Sequence, residues 1–323
     1  MKGKIIVTVA LLLLICSCHK TKRPYLISIS NGDNTNLISY DKDLNVLNEN
    51  TLKESISIPS NKNIIQNNNL YDIKYSPKQN DIVSLNLDTF KLSNIKINNK
   101  ENPQVFDYNN KLLVYSSNFL KNNSLNLVSN NNKEKSCIYE NYFFNHIILK
   151  DNRLFAFITY NNKKEYLLEI DLNSLKIKKE ILLKSTTSIN SNPIINKDTI
   201  YFIDNTKKLN LYNMNTNKIE QVNIKLDSPA KMYLDQDNIY ISNADNLQLT
   251  DIKPRINIYN IKKKTNKIIK LPFITYDFIV EDEYLYLFGQ DKISKVNKKD
   301  FKEIKTVSLK PNQIPIKIIK AEE

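Results

Sequence analysis

The sequence predicts an all-β chain: a seven-bladed β-propeller of four-stranded antiparallel blades, closed by pairing of the C-terminal strand with the N-terminal strands. Three observations predict it. A Tyr-bearing apolar strand recurs, its first apolar residue at Tyr25, Leu70, Leu112, Leu154, Ile200, Ile239 and Leu285, at intervals of 39 to 46 residues. That is the spacing of a propeller blade. Within each unit apolar and polar residues alternate with period two, the pattern of half-buried antiparallel strands. Asn-rich turns interrupt the chain throughout, and no amphipathic helical stripe is visible after residue 20.

The clearest unit runs Asp198-Thr199-Ile200-Tyr201-Phe202-Ile203, then Leu209-Asn210-Leu211-Tyr212, then Lys218-Ile219-Glu220-Gln221-Val222. A fourth strand precedes each Tyr strand, at residues 103–106, 146–149, 193–195 and 231–234. Residues 314–319 look like another such strand but have no Tyr strand after them, and the Tyr25 unit has none before it. The two halves complete one blade, which would close the ring and protect its edges. Turns normally call on glycine, but the chain has 3 Gly and 49 Asn. Asn tolerates positive φ best after glycine, so Asn109-Asn110, Asn131-Asn132 and Asn161-Asn162 are expected to make the hairpin turns.

These residues resemble the YVTN-type propellers, within the larger group of quinoprotein-like and lactonase-like seven-bladed propellers. Tyr240-Ile241-Ser242-Asn243 matches the family strand, and Tyr115-Ser116-Ser117-Asn118 is a looser match. Leu168-Glu169-Ile170-Asp171-Leu172-Asn173-Ser174 resembles the strand and turn that follow, and Pro103, Pro193, Pro229 and Pro315 match a proline before the inner strand. The resemblance covers about residues 25–319. It implies the seven-bladed fold and leaves room for acidic metal ligands in the central channel, as lactonase-like members have.

The N-terminus carries its own signal. Lys2 and Lys4 precede an apolar stretch over residues 5–15, too short to span a bilayer as a helix and of the right length for a signal-peptide core. Ile15-Cys16-Ser17-Cys18 follows and resembles the bacterial lipobox, with Cys18 after the small Ser17. That resemblance implies cleavage after residue 17 and a lipidated, acylated Cys18, and acyl chains in pairs suffice for stable anchoring. The expected organisation is a signal peptide over 1–17, Cys18 and a short basic tether over 18–24, the propeller over 25–319 and a tail over 320–323. Such a chain faces the periplasm or the cell exterior from a cell membrane or outer membrane, as a monomer.

Composition excludes several functions. With 3 Gly the chain has no Gly-rich phosphate loop, and with 2 His, His19 and His146, it has no HExxH zinc site. His146 reads as a polar residue at a strand start and Cys137 as a buried strand residue. Asp41-Lys42-Asp43-Leu44-Asn45 opens like a calcium loop but lacks its glycine, and reads as a hairpin turn. Net charge is +13, yet the longest basic run is Lys262-Lys263-Lys264, and an exported chain does not meet nucleic acid. No cofactor is expected, and the only weak metal candidates are Asp277 and Glu281, which share a face if strand alternation holds.

These observations point to a non-catalytic envelope module that binds a protein or an envelope polymer. Its binding face would be built by the connections from outer to next inner strand and from second to third strand, since loops carry function. The candidate residues there are Asn31, Asn34, Asn36, Lys78, Asn80, Asn118, Asn192, Asp245 and Asp251. The alternatives are a lactonase-like hydrolase with a divalent metal in the channel, and a scaffold in outer-membrane protein assembly.

Overall fold

Seven antiparallel sheets build the protein. The structure, a computed structural model, describes residues 24–321 apart from 32–33, 54–55, 58–63, 67–68, 75–80, 88, 96–102, 109–110, 117–122, 129–133, 161–163, 184–190, 244–252 and 312–313. From the inner strand outward, blade 1 is Ile314–Lys320, Leu26–Asn31, Thr35–Tyr40 and Val46–Leu52. In blade 2 two short inner strands, Ile56–Ser57 and Ile64–Gln66, both pair with Asn69–Lys74, and Asp81–Asn86 and Leu92–Ile95 follow. Blade 3 is Pro103–Tyr108, Lys111–Ser116, Asn123–Val128 and Glu134–Tyr139. Blade 4 is Tyr142–Lys150, Arg153–Tyr160, Glu165–Asp171 and Lys176–Leu182. Blade 5 is Ile194–Asn196, Thr199–Ile203, Lys208–Asn213 and Lys218–Asn223. Blade 6 is Met232–Asp235, Asn238–Ser242, Arg255–Asn260 and Thr265–Lys270, and blade 7 is Asp277–Val280, Tyr284–Phe288, Lys292–Asn297 and Glu303–Ser308.

The ring closes as the sequence implies. Ile314–Lys320 pairs antiparallel with Leu26–Asn31, from Leu26↔Lys320 to Asn31↔Ile314. Ser30 faces Pro315 where the register shifts, so a residue that cannot donate sits at an irregularity in the ladder. Side chains of blades 7 and 1 reinforce the joint. The Tyr286 hydroxyl donates to the Lys42 carbonyl at 2.8 Å, Lys295 Nζ to Asp43 Oδ1 at 2.7 Å, and Lys305 Nζ to Asn45 Oδ1 at 2.6 Å.

The core is a circle of interfaces between neighbouring blades. Successive residues of a second strand pack to opposite sides: Ile200 and Phe202 join blade 4, while Tyr201 and Ile203 join blade 6. Tyr286 and Phe288 likewise face blade 1, and Leu285 and Leu287 face blade 6. Each such fully buried side chain contributes roughly 1.5–3 kcal/mol. Second strands are therefore buried on both faces, as in Thr199–Ile203, as is Thr35–Tyr40 in the third row of blade 1, while the half-buried alternation expected of every strand is clear at the outer row, as in Lys176–Leu182. Strands buried on both faces read as apolar runs for this reason.

The turns differ from the expectation. Among the described residues eleven non-glycine residues take positive φ, and only Asn141 and Asn217 of these are Asn. The three Asn pairs singled out in the sequence lie outside the described residues. Between third and outer strands one turn recurs. In blades 2, 4, 5 and 7 the amide N–H of Phe90, Leu175, Asn217 or Phe301 donates to the carbonyl of Asn86, Asp171, Asn213 or Asn297 at 2.7–2.9 Å. The side-chain oxygen of that first residue accepts a further amide, from Thr89, Ser174, Thr216 or Lys299, at 2.8–2.9 Å. Asn and Asp thus cap the turn with their side chains. In blades 2 and 4 the left-handed position goes to a residue whose burial offsets roughly 1 kcal/mol or more of backbone strain, Phe90 at 5% and Leu175 at 1% exposure, whereas in blade 5 it falls to the exposed Asn217.

Candidate functional site

Inner strands run along the channel, so their starts form its mouth on the face of the outer-to-inner connections. There a cavity of about 90 Å³ lies among Asn192, Lys231, Asp277 and Lys317, with Met232 and Phe278 in its apolar wall. These residues come from blades 5, 6, 7 and 1, up to about 125 positions apart, and the arc of consecutive inner strands brings them together.

Asp277 opens the inner strand of blade 7 and is 7% exposed. Its Oδ1 faces Lys231 Nζ at 3.4 Å and accepts the Phe278 amide at 3.1 Å; its Oδ2 accepts the Ile318 amide at 3.1 Å. A carboxylate taken out of water needs such donors. Lys317, 4% exposed, is a further residue of the cavity lining.

Glu281 does not join Asp277. It follows the far end of the same strand, about 13 Å away at ordinary strand rise. There its Oε1 binds Lys320 Nζ at 2.9 Å, and its carbonyl accepts Lys298 Nζ at 2.9 Å. Shared strand parity put the two residues on one face, but four residues of strand separate them along the channel. Each meets its own lysine.

The remaining candidates scatter. Asn192 lines the cavity. Asn34 is exposed in the connection from second to third strand of blade 1. Asn36 is buried, and its Oδ1 accepts the Thr51 hydroxyl at 2.7 Å, so it serves the sheet rather than a binding face. Asn31 ends a strand, and its side chain is outside the described set, as are residues Cys18, Lys78, Asn80, Asn118, Asp245 and Asp251. Cys137, expected to be buried, is half-buried on the outer strand of blade 3, where its Sγ lies 3.8 Å from the Ile138 carbonyl. Outer strands have one face toward solvent, which the sequence pattern did not distinguish from the inner rows. Asp41 caps its hairpin turn as expected, accepting the amides of Asp43 and Asn45 at 2.9 and 2.8 Å.

A second acidic locus on the same face escaped the sequence reading. Glu165 begins the third strand of blade 4, and Asp204 follows the second strand of blade 5. Both are buried, at 5% and 1% exposure. Asp204 accepts the Thr206 amide at 3.0 Å, the Lys208 amide at 3.3 Å and Asn210 Nδ2 at 3.0 Å. Burial first, and then the charge of Asp204, push the Glu165 carboxyl up to about 7.

No protein-family model matches the chain, and no curated protein matches it by sequence. Among solved structures, 1134 chains share the fold, so the architecture leaves function open. A candidate 6-phosphogluconolactonase from Bacteroides uniformis superposes with a TM-score of 0.63 at 10% identity, covering 93% of this chain and 100% of that one. PorZ, a bacterial surface component of the type-IX secretion system of Porphyromonas gingivalis, superposes with a TM-score of 0.50 at 10% identity. That match covers 79% of this chain and 34% of PorZ.

Proposed function

We propose that the chain is a lipid-anchored protein of the bacterial cell envelope and works as a non-catalytic binding propeller for a protein or envelope polymer. The observation that carries the non-catalytic part is the state of Asp277: Lys231 and two backbone amides occupy its oxygens at the channel mouth. A hard divalent cation needs several converging oxygens, and an ammonium stands where one would have to sit. The anchor rests on the lipobox-like Ile15-Cys16-Ser17-Cys18 behind an apolar core. Among the described residues no helix is long and apolar enough to cross a membrane. The two structural neighbours named above differ in role, one a candidate lactonase and one a surface component, so the fold alone does not choose between the readings.

The anchor has a direct test. Mass spectrometry of the membrane fraction is expected to find a chain that starts at an acylated Cys18. Cys18→Ser is expected to release the protein from the membrane or leave an unprocessed precursor. A Cys18→Ser variant unchanged in mass and fractionation contradicts the anchor.

A further inference from the structure

We infer that the propeller docks on the lipid surface by the face opposite the channel mouth, with the rim of blades 7 and 1 against the headgroups and the mouth turned away from the membrane. This orientation rests on the anchored reading and adds a contact surface to it. The entry point of the chain comes first. The Tyr25 amide donates to the Tyr40 carbonyl at 2.8 Å, and the Tyr25 carbonyl accepts the Ala321 amide at 3.1 Å. Leu26 stands opposite both Tyr40 and Lys320, and Tyr40 opposite Val46. Tyr25 is thus pinned at the last rung of blade 1, where the inner strand ends. The mouth lies at the other end, where inner strands start.

Reach comes second. Cys18 lies seven positions before Tyr25, and seven residues fully extended span roughly 25 Å. To lay the mouth on the lipid, that tether would first have to clear the third and outer strands, about 10 Å, and then climb a six-residue strand, about 20 Å. The path exceeds the tether. The face at Tyr25 needs no such path.

Surface chemistry comes third. Val46, 54% exposed, opens the outer strand of blade 1, and Ile304, 52% exposed, lies at the start of the outer strand of blade 7. Both therefore stand at the Tyr25 end, on blades joined there by Lys305 and Asn45. Lys42 and Lys302 are exposed beside them. Such side chains lay their stems along apolar surface and keep the ammonium among headgroups. Asp41, Asp43, Asp300 and Glu303 offset these lysines, so the rim has little net field of its own. The positive surplus comes from Lys20, Lys22 and Arg23 of the tether, which anionic lipid attracts. The acyl chains supply the affinity. Once they hold the protein, the rim faces the lipid at high effective concentration, and two apolar side chains suffice to bias the orientation. Ile138 and Leu182 are as exposed, but they lie near the ends of the outer strands of blades 3 and 4, on the mouth side.

The test uses the full acylated chain in vesicles of phosphatidylglycerol and phosphatidylethanolamine, with a nitroxide quencher on a fraction of the headgroups. In a Cys137→Ser background, a fluorophore is attached through Val46→Cys, Ile304→Cys, Ile138→Cys or Leu182→Cys, all at exposed positions. The labels at 46 and 304 are expected to lose fluorescence to the quencher, and those at 138 and 182 to keep it. Lys42→Cys and Asn34→Cys, in exposed turns at opposite ends of blade 1, repeat the comparison should a label disturb a strand: 42 is expected to be quenched and 34 not. Equal quenching at the two ends, or deeper quenching at 138, 182 and 34, overturns the orientation. Flotation of the same samples separates the two readings. A chain that floats with the vesicles but is quenched at the wrong end keeps the anchor and loses the orientation. A chain that does not float loses both.

Discussion

Deleting residues 313–323 is expected to abolish the cooperative unfolding transition. The segment supplies the inner strand of blade 1, paired with Leu26–Asn31 along its whole length. Ile318, 2% exposed, packs with Tyr286 and Phe288 of blade 7. Ile319, 0% exposed, packs with Leu70 and Leu85 of blade 2. Each isoleucine is worth roughly 1.5–3 kcal/mol of burial. Their loss also empties space against both neighbouring blades, and unfilled core volume adds to the cost. The bared edge of Leu26–Asn31 would then offer unpaired backbone groups to other chains. Together these terms rival the roughly 5–15 kcal/mol by which a folded domain exceeds its unfolded state. Urea unfolding followed by circular dichroism checks this. A truncated chain with the midpoint of the full one contradicts closure.

Glu165→Gln is expected to change how stability depends on pH. The Glu165 carboxyl sits at about 7 in the folded protein, against 4.5 for an unburied glutamate. The folded state therefore holds a proton that the unfolded state has released. Stability falls as pH rises from about 4.5 to about 7 and levels off above, a loss of the order of 3 kcal/mol for this group. The glutamine variant has no such proton to lose. Its stability is expected to match the parent near pH 5 and to exceed it near pH 8 by an amount of that order. Parallel curves for the two proteins across that window would show that Glu165 does not carry the effect. Comparing the two proteins at each pH cancels the carboxylates whose folded values lie low. Asp171, held down by Lys178 and Ser174, is one of these, and it titrates below the window.

Much of the fold could be read from the chain because a propeller repeats one local pattern. The seven Tyr-bearing starts all fall in or beside second strands, and the orphan segment near residue 314 became the inner strand of blade 1. Tyrosines such as Tyr40, Tyr212 and Tyr286 proved to be core, with their hydroxyls bonded to Ser28, Asn217 and the Lys42 carbonyl. The turns were harder. Asn richness suggested positive φ at Asn, whereas Asp171 and Asn297 work through their side chains and leave φ to the fifth residue, Leu175 and Phe301. Nothing local marks Leu175 or Phe301 for a left-handed conformation; tertiary burial decides it.

The site was less legible than the fold. A search for converging carboxylates found Asp277 and Glu281 but passed over Lys231, whose ammonium stands against Asp277. Glu165 and Asp204 stand 39 positions apart in different blades, and no spacing rule joins them. Asn257 remains an oddity: it is 0% exposed, and neither its amide nitrogen nor its oxygen has a hydrogen-bond partner. Its counterpart in blade 5, Asn210, bonds Gln221 across the outer strand, where Asn257 instead faces Ile268.

The central claim is that this channel mouth binds without catalysing. Calorimetric titration of the chelator-treated full chain with calcium, magnesium, manganese and zinc, followed by a lactone-hydrolysis screen, tests it most directly. With Lys231 against Asp277 and Glu281 committed to Lys320 at the other end of the strand, no micromolar metal binding and no turnover are expected. Micromolar binding of a divalent ion that disappears in Asp277→Asn, accompanied by metal-dependent lactone hydrolysis, would contradict it and make the chain an enzyme.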